Sequence, residues 1–217
     1  MTGLSRSPRI LKGGLVLLDR ETEAVARTIV LQYNPEMLTR SITPRGAGED
    51  GDPLQAQRLS GPPVETITLE AILDATDGLD EADKTAAEIG VSADLAALET
   101  VLYPTSAELA AQDALASRGS IEILPAVTPL VLFVWGPKRI LPVRITDLSV
   151  TEEAFDHNLN PLRARLSIGM RVLTVNDLPY ASLGGGFSLV QHQLKEQMAG
   201  RARAGGVGAL GAQEIFS

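Results

Sequence analysis

The amino-acid sequence predicts a mainly β fold with one or two helices beside the sheet, an α+β chain of 217 residues. Three observations predict it. Leu162–Val172 alternates strictly, with Leu162, Ala164, Leu166, Ile168, Met170 and Val172 on one face and Arg163, Arg165, Ser167, Gly169 and Arg171 on the other, the period of a half-buried strand. The unbroken apolar run Leu130–Trp135 meets the turn Gly136-Pro137-Lys138 and a second strand, Arg139–Thr146, which reads as a hairpin. Helical spacing is confined to short stretches, the clearest being Leu95, Leu98, Val101 and Leu102.

The first strands are Ile10–Leu18 and Arg27–Tyr33, joined by the charged connection Asp19–Glu23. Asn34-Pro35 ends the second, because proline cannot donate to a ladder and restricts the residue before it. Thr43–Pro63 is rich in Gly, Pro and acidic residues and reads as a long exposed loop, of the kind that in compact domains tends to be functional or mobile. Val64–Leu73 alternates again, Ile67, Leu69, Ala71 and Leu73 opposing Thr66, Thr68 and Glu70. Asp74–Glu88 is polar and irregular. Ser92 is placed to cap a helix that Pro104 stops, and a second short helix covers Ser106–Leu115.

In the hairpin, the strand that is apolar on both faces should be central and covered on both sides, with Phe133 in the core and Trp135 largely buried near its end. Leu141, Val143 and Ile145 share one face of the next strand, whereas Leu148 and Val150 fall on the other phase, so a bulge or bend is expected near Asp147. Glu152, Glu153 and Asp156 read as a charged turn closing that strand rather than as a cation site, since no calcium-loop pattern accompanies them. Gly184-Gly185-Gly186 reads as a flexible hinge. It lacks the Gly-Lys-Ser/Thr ending of a phosphate loop. Phe187–Ala202 can form a helix with Leu189, Val190, Leu194 and Met198 on one side, before a glycine-rich tail. Residues 1–180 are thus expected to be a β domain with a loop at 43–63 and a helical insertion at 91–115, and 181–217 a helix plus extended tail.

Composition narrows function. The net charge of −8 argues against nucleic acid as a main partner. No cysteine is present, which excludes disulfides, thiol nucleophiles and thiolate metal sites. The apolar zone Ile121–Trp135 is interrupted by Glu122, Pro125 and Pro129 and falls short of the ~20 residues that span a bilayer. The chain reads as soluble, made in the cytoplasm and not inserted in membrane. His157 and His192 have no nucleophile or carboxylate pair placed beside them by a motif and read as solvated. No catalytic, cofactor or metal residues are assigned, and the protein reads as a non-enzyme. Arg163, Arg165 and Arg171 form either a solvated face or one that meets acidic groups, across the sheet or on a neighbouring copy.

The order of several motifs resembles a known family. Gln32-Tyr33-Asn34-Pro35, Gly61-Pro62-Pro63 leading into Glu65–Leu69, Leu73-Asp74-Ala75-Thr76-Asp77, Pro129–Gly136, Val150–Asp156 and Leu159-Asn160-Pro161-Leu162-Arg163-Ala164 together look like the tube-domain proteins of contractile injection systems, the phage-tail-like particles of bacteria. The match is closest to the component at the junction of inner tube and baseplate and covers roughly residues 10–175. The resemblance implies a tail-tube-like β-barrel or sandwich with a helix alongside, in copies arranged as a hexameric ring. Its partners would be itself, the inner tube protein, and spike, hub and baseplate proteins, within a particle that can be released. Interface candidates are Arg163, Arg165, Arg171, Phe155, Asp156, Asn160, Phe187 and Leu194, with the loop 43–63 and the tail 181–217 reaching neighbours. Relatives often carry a peptidoglycan-binding LysM module, and none is legible after Val172. A glycan-binding anchor and a main inner-tube subunit are the alternative roles.

Overall fold

The computed structural model describes residues 11–19, 22–46, 58–80, 83–117, 129–202 and 205. The middle of the expected loop, at 47–57, and the tail beyond 202 apart from Gly205 lie outside the described residues, as does most of the apolar zone preceding Pro129.

The fold is α+β and built on one antiparallel sheet. Its strands are β1 (Gly14–Leu18), β2 (Val25–Val30), β3 (Leu38–Thr43), β4 (Val64–Asp74), β5 (Leu130–Val134), β6 (Ile140–Phe155) and β7 (Pro161–Val172), in the order β2-β1-β5-β6-β7-β4-β3. The helices are α1 (Thr76–Asp80), α2 (Lys84–Ile89), α3 (Ser92–Glu99), α4 (Ser106–Ser117) and α5 (Leu183–Ala199). One apolar cluster gathers a face of the sheet: Leu15 and Leu17 of β1, Ile67 to Leu73 at alternate positions of β4, Phe133 of β5, Val143 of β6 and Ile168 of β7, with Leu95 and Leu98 of α3. Ile29 of β2 and Leu38 of β3 pack against the same cluster, so both ends of the sheet wrap one core. A paired amide link holds that curl, because Gln32 Nε2 donates to Asp74 O and Gln32 Oε1 accepts from Asp74 N, each at 2.7 Å.

The expected alternations form β4 and β7, and β5 is interior with its three central residues buried. The bulge forms where the apolar phase changes: the β6–β7 register shifts between Ile145 and Asp147, returning Leu148 and Val150 towards the core. Gly169 lies opposite it, where a Cβ would sit 3.2 Å from that of Asp147.

Four expectations are corrected. Thr151–Phe155 is not a turn but the continuation of β6, because Thr151, Glu152, Glu153 and Phe155 keep β7 partners, the last being Phe155–Pro161. Asp74–Glu88 is not irregular: it contains α1 and α2, the latter capped by Asp83, whose carboxylate accepts from Thr85 N. Ser92 is the first helical residue of α3 rather than its cap, that position falling on Val91. Gly184-Gly185-Gly186 is not a hinge but the opening turn of α5, capped by Ser182, whose Oγ accepts from Gly185 N. β3 was not expected at all, and α4 runs two residues beyond Leu115.

Trp135 is partly buried and packs against the core cluster, as expected near the end of the central strand. It stands one residue beyond β5, at the mouth of the hairpin, with its ring stacked on Phe133 at 5.7 Å between centroids. Phe133 itself is fully buried.

Candidate interaction site

The outer strands set the first surface. β2 pairs only with β1, and β3 only with β4, so among the described residues each presents a row of free backbone groups. Most of their side chains are exposed too, including Val25, Val30 and Ile42. Unprotected edges of this kind are templates for pairing with another chain.

The second surface is the tip of the β6–β7 hairpin. Phe155 is 49% exposed and Leu159 79% exposed, an apolar pair at the far end of two long strands. Asp156 and Asn160 act beneath it. Asp156 Oδ1 accepts from Asn158 N at 2.7 Å and Asn160 N at 2.8 Å, and its Oδ2 accepts from Asn160 Nδ2 at 2.9 Å. Asn160 Nδ2 also donates to Glu88 O at the end of α2. The Asn160 side-chain bond, assisted by the two backbone donors and by His157, holds the Asp156 carboxyl below its ordinary value despite the opposing effect of desolvation. This network fixes a turn in which Leu159 takes a left-handed backbone (φ +66°) and points outward.

The arginine row is occupied within the chain. Arg165 Nε lies 2.9 Å from Glu153 of β6, Arg163 Nε 3.6 Å from Asp74 of β4, and Arg171 Nη2 2.5 Å from Asp177. The acidic groups that meet this face are therefore supplied across the sheet and by the segment after β7. Of the two candidates on α5, Phe187 and Leu194 are both half-buried, while Val190 and Met198 on the same flank are about half exposed. His157 lies in the hairpin turn, and His192 pairs with Glu196 one turn along α5 at 3.2 Å.

The least expected feature is Glu65, only 3% exposed on the core-facing side of β4, in phase with Ile67, Leu69, Ala71 and Leu73. Its Oε1 takes Arg40 of β3, Nε at 2.8 Å and Nη2 at 2.7 Å, and its Oε2 takes Lys195 Nζ of α5 at 2.8 Å. Burial pushes the carboxyl pKa up, but the Lys195 and Arg40 hydrogen bonds and charges outweigh it and leave the group below its ordinary value. The sequence did carry a signal: a carboxylate at an apolar phase of a strand has to be paired. Which cations pair it could not be read from spacing. Beside the first turn of α5 lies a largely apolar cavity of about 530 Å3, whose walls include Leu18, Leu102, Leu130, Ile145, Leu178 and Gly184.

Among the described residues, no three His, Asp or Glu side chains gather where they could hold a metal ion, and no helix is long and apolar enough to cross a membrane. No protein-family model matches the chain, and no curated protein matches it. Among solved structures, it is similar to a chain from the tail of an empty GTA particle determined by helical refinement with C6 symmetry. The two are 13% identical, the match covers 74% of this chain and 90% of that one, and the TM-score is 0.27. A likeness at that score carries no weight for function.

Proposed function

We propose that the protein is a non-enzymatic structural subunit of a contractile injection particle, forming a ring, with six copies expected, at the junction of inner tube and baseplate. The observation that carries this reading is the single sheet whose two edge strands, β2 on one side and β3 on the other, have no partner on their outer side among the described residues. Two different edges on one subunit suit head-to-tail contacts, in which β3 of one copy meets β2 of the next, and such contacts close into a ring when the rotation per subunit divides a full turn. The collinear motifs between Gln32 and Ala164 support the same reading. The apolar tip at Phe155 and Leu159 would then project from the ring towards the inner tube or baseplate.

The test is electron microscopy and native mass spectrometry of the purified full-length chain, followed by imaging of particles assembled with and without it. Six-fold rings, and particles that lose the tube–baseplate connection without the protein, are expected. A chain that stays monomeric at every concentration and is absent from purified particles would overturn the reading. So would a discrete two-fold dimer.

A further inference from the structure

We infer that α5 is a strap that opens as a unit from a sheet that stays folded, and that Glu65 is the latch that holds it down. Over its 17 residues the buried positions of α5 are Gly184, Gly185 and Gln191, none of them a large apolar side chain. Phe187, Leu189 and Leu194 are only half-buried, so at about 25 cal/mol per Å2 the helix takes less from apolar burial than a core strand does. Its directional attachments are polar. The Gln191 carboxamide sits against the backbone at the start of β6, its nitrogen 3.3 Å from Lys138 O and its oxygen 3.2 Å from Ile140 N. Leu183 N donates to Glu23 Oε1 at 3.3 Å. The strongest attachment is the charge-assisted bond from Lys195 to Glu65.

The division of Glu65 between two cations decides how the strap behaves. Were Lys195 the sole partner, lifting α5 would strand a buried carboxylate, at a cost that would tie the helix to global unfolding. Here Oε1 stays on Arg40 of β3 when Oε2 lets go, so the opened state keeps a paired carboxylate. Lys195 is 45% exposed already and becomes fully hydrated on release. The latch therefore holds α5 with one good bond that can break without disturbing β4.

Hydrogen exchange on the isolated full-length chain reads this directly, with mass spectrometry resolving peptides of α5, β4 and β7. The amides of Gln191–Ala199 are expected to exchange at least about tenfold faster than those of β7, as a sub-global opening requires. Lys195→Met should speed α5 by a further factor of about three to ten while leaving β4 and β7 unchanged, and Lys195→Arg should restore most of the protection. Glu65→Gln should also free α5, and any added loss in β4 separates its effect on the core from its effect on the strap. Exchange of α5 in step with β7 in the unaltered chain would overturn the inference. So would Lys195→Met that leaves α5 protection intact, or that accelerates β7 equally. Because the measurement is made on the isolated chain, failure here leaves the ring reading standing, and absence of rings leaves the strap standing.

Discussion

Strand β7 and helix α5 both lie against β6, yet they are attached by opposite means. β7 sits inside the sheet between β6 and β4, and Ala164, Leu166, Ile168, Met170 and Val172 are exposed by 6% or less. α5 approaches from outside the ladder and buries two glycines and a glutamine. Gly184 shows how close the approach is, since a Cβ there would lie 3.1 Å from Leu130 Cδ2 of β5. The difference separates what keeps the chain folded from what can move. Nondirectional apolar burial over a whole strand is lost only when the sheet unfolds, whereas a few polar bonds to one helix are lost one at a time.

Breaking the comparison at its strong side gives the largest effect. Leu166→Ala should destabilise the whole fold by about 2–5 kcal/mol, the usual cost of emptying a well-packed aliphatic site, read by denaturant unfolding. β7, β4 and β5 should lose exchange protection together. If Leu166→Ala loosened only one strand, the sheet would not be a single cooperative unit.

Glu65→Gln comes next, at about 1–3 kcal/mol, because it leaves Arg40 and Lys195 without their charged acceptor while both cations still reach water. It also sharpens the pH response. The pKa of Glu65 is lowered in the folded chain, so its contribution is fully present above the ordinary carboxylate range and is lost as pH falls through the lowered folded value. The groups facing it are Arg40 and Lys195. Protection of α5 should therefore fall on acidification in the unaltered chain and be flat in Glu65→Gln. Asp74, held low first by its bond to Thr76, and Asp156, held low first by Asn160, shift in the same sense, so global acid stability declines over the same window for both proteins.

Phe187→Ala should cost about 1–2 kcal/mol, less than a fully buried phenylalanine, because the side chain is partly exposed. A loss comparable to that of Leu166→Ala, measured in the same denaturant series, would show α5 to be part of the core. The smallest effect is expected from Arg165→Ala. That side chain is 63% exposed and bridges to Glu153 in solvent, so a change within about 1 kcal/mol is expected by thermal unfolding. A much larger loss would mean that the arginine row carries the sheet rather than decorating it.

Much of the sheet was legible from the sequence because its signals are local. The period of two in Val64–Leu73 and Leu162–Val172 marks a buried face wherever the strand is placed, and the phase change between Ile145 and Leu148, which reads as a bulge or a bend, is met in the structure by a bulge. β3 was hidden for the opposite reason. Its side chains are almost all exposed, so Leu38–Thr43 shows no apolar phase, and pairing with β4 makes it a strand. The glycines before Phe187 misled because glycine in isolation signals freedom, whereas Gly184 and Gly185 serve here to bring a helix close to Leu178 and Pro179.

The sequence by itself determined which residues alternate, where the chain turns, and that Glu65 stands in phase with the core of β4. It could not determine who neutralises that charge. Arg40 lies 25 residues before Glu65 and Lys195 130 residues after it, and neither spacing has a period that local structure imposes. The tertiary structure decided both partners, because ladder pairing places β3 beside β4, and the docking of α5 carries Lys195 to the same carboxylate. It likewise decided that the apolar flank of α5 stays half open while the matching stripe of β7 is sealed. A stripe of side chains records only the capacity for burial, and its use depends on which surface the rest of the fold brings against it.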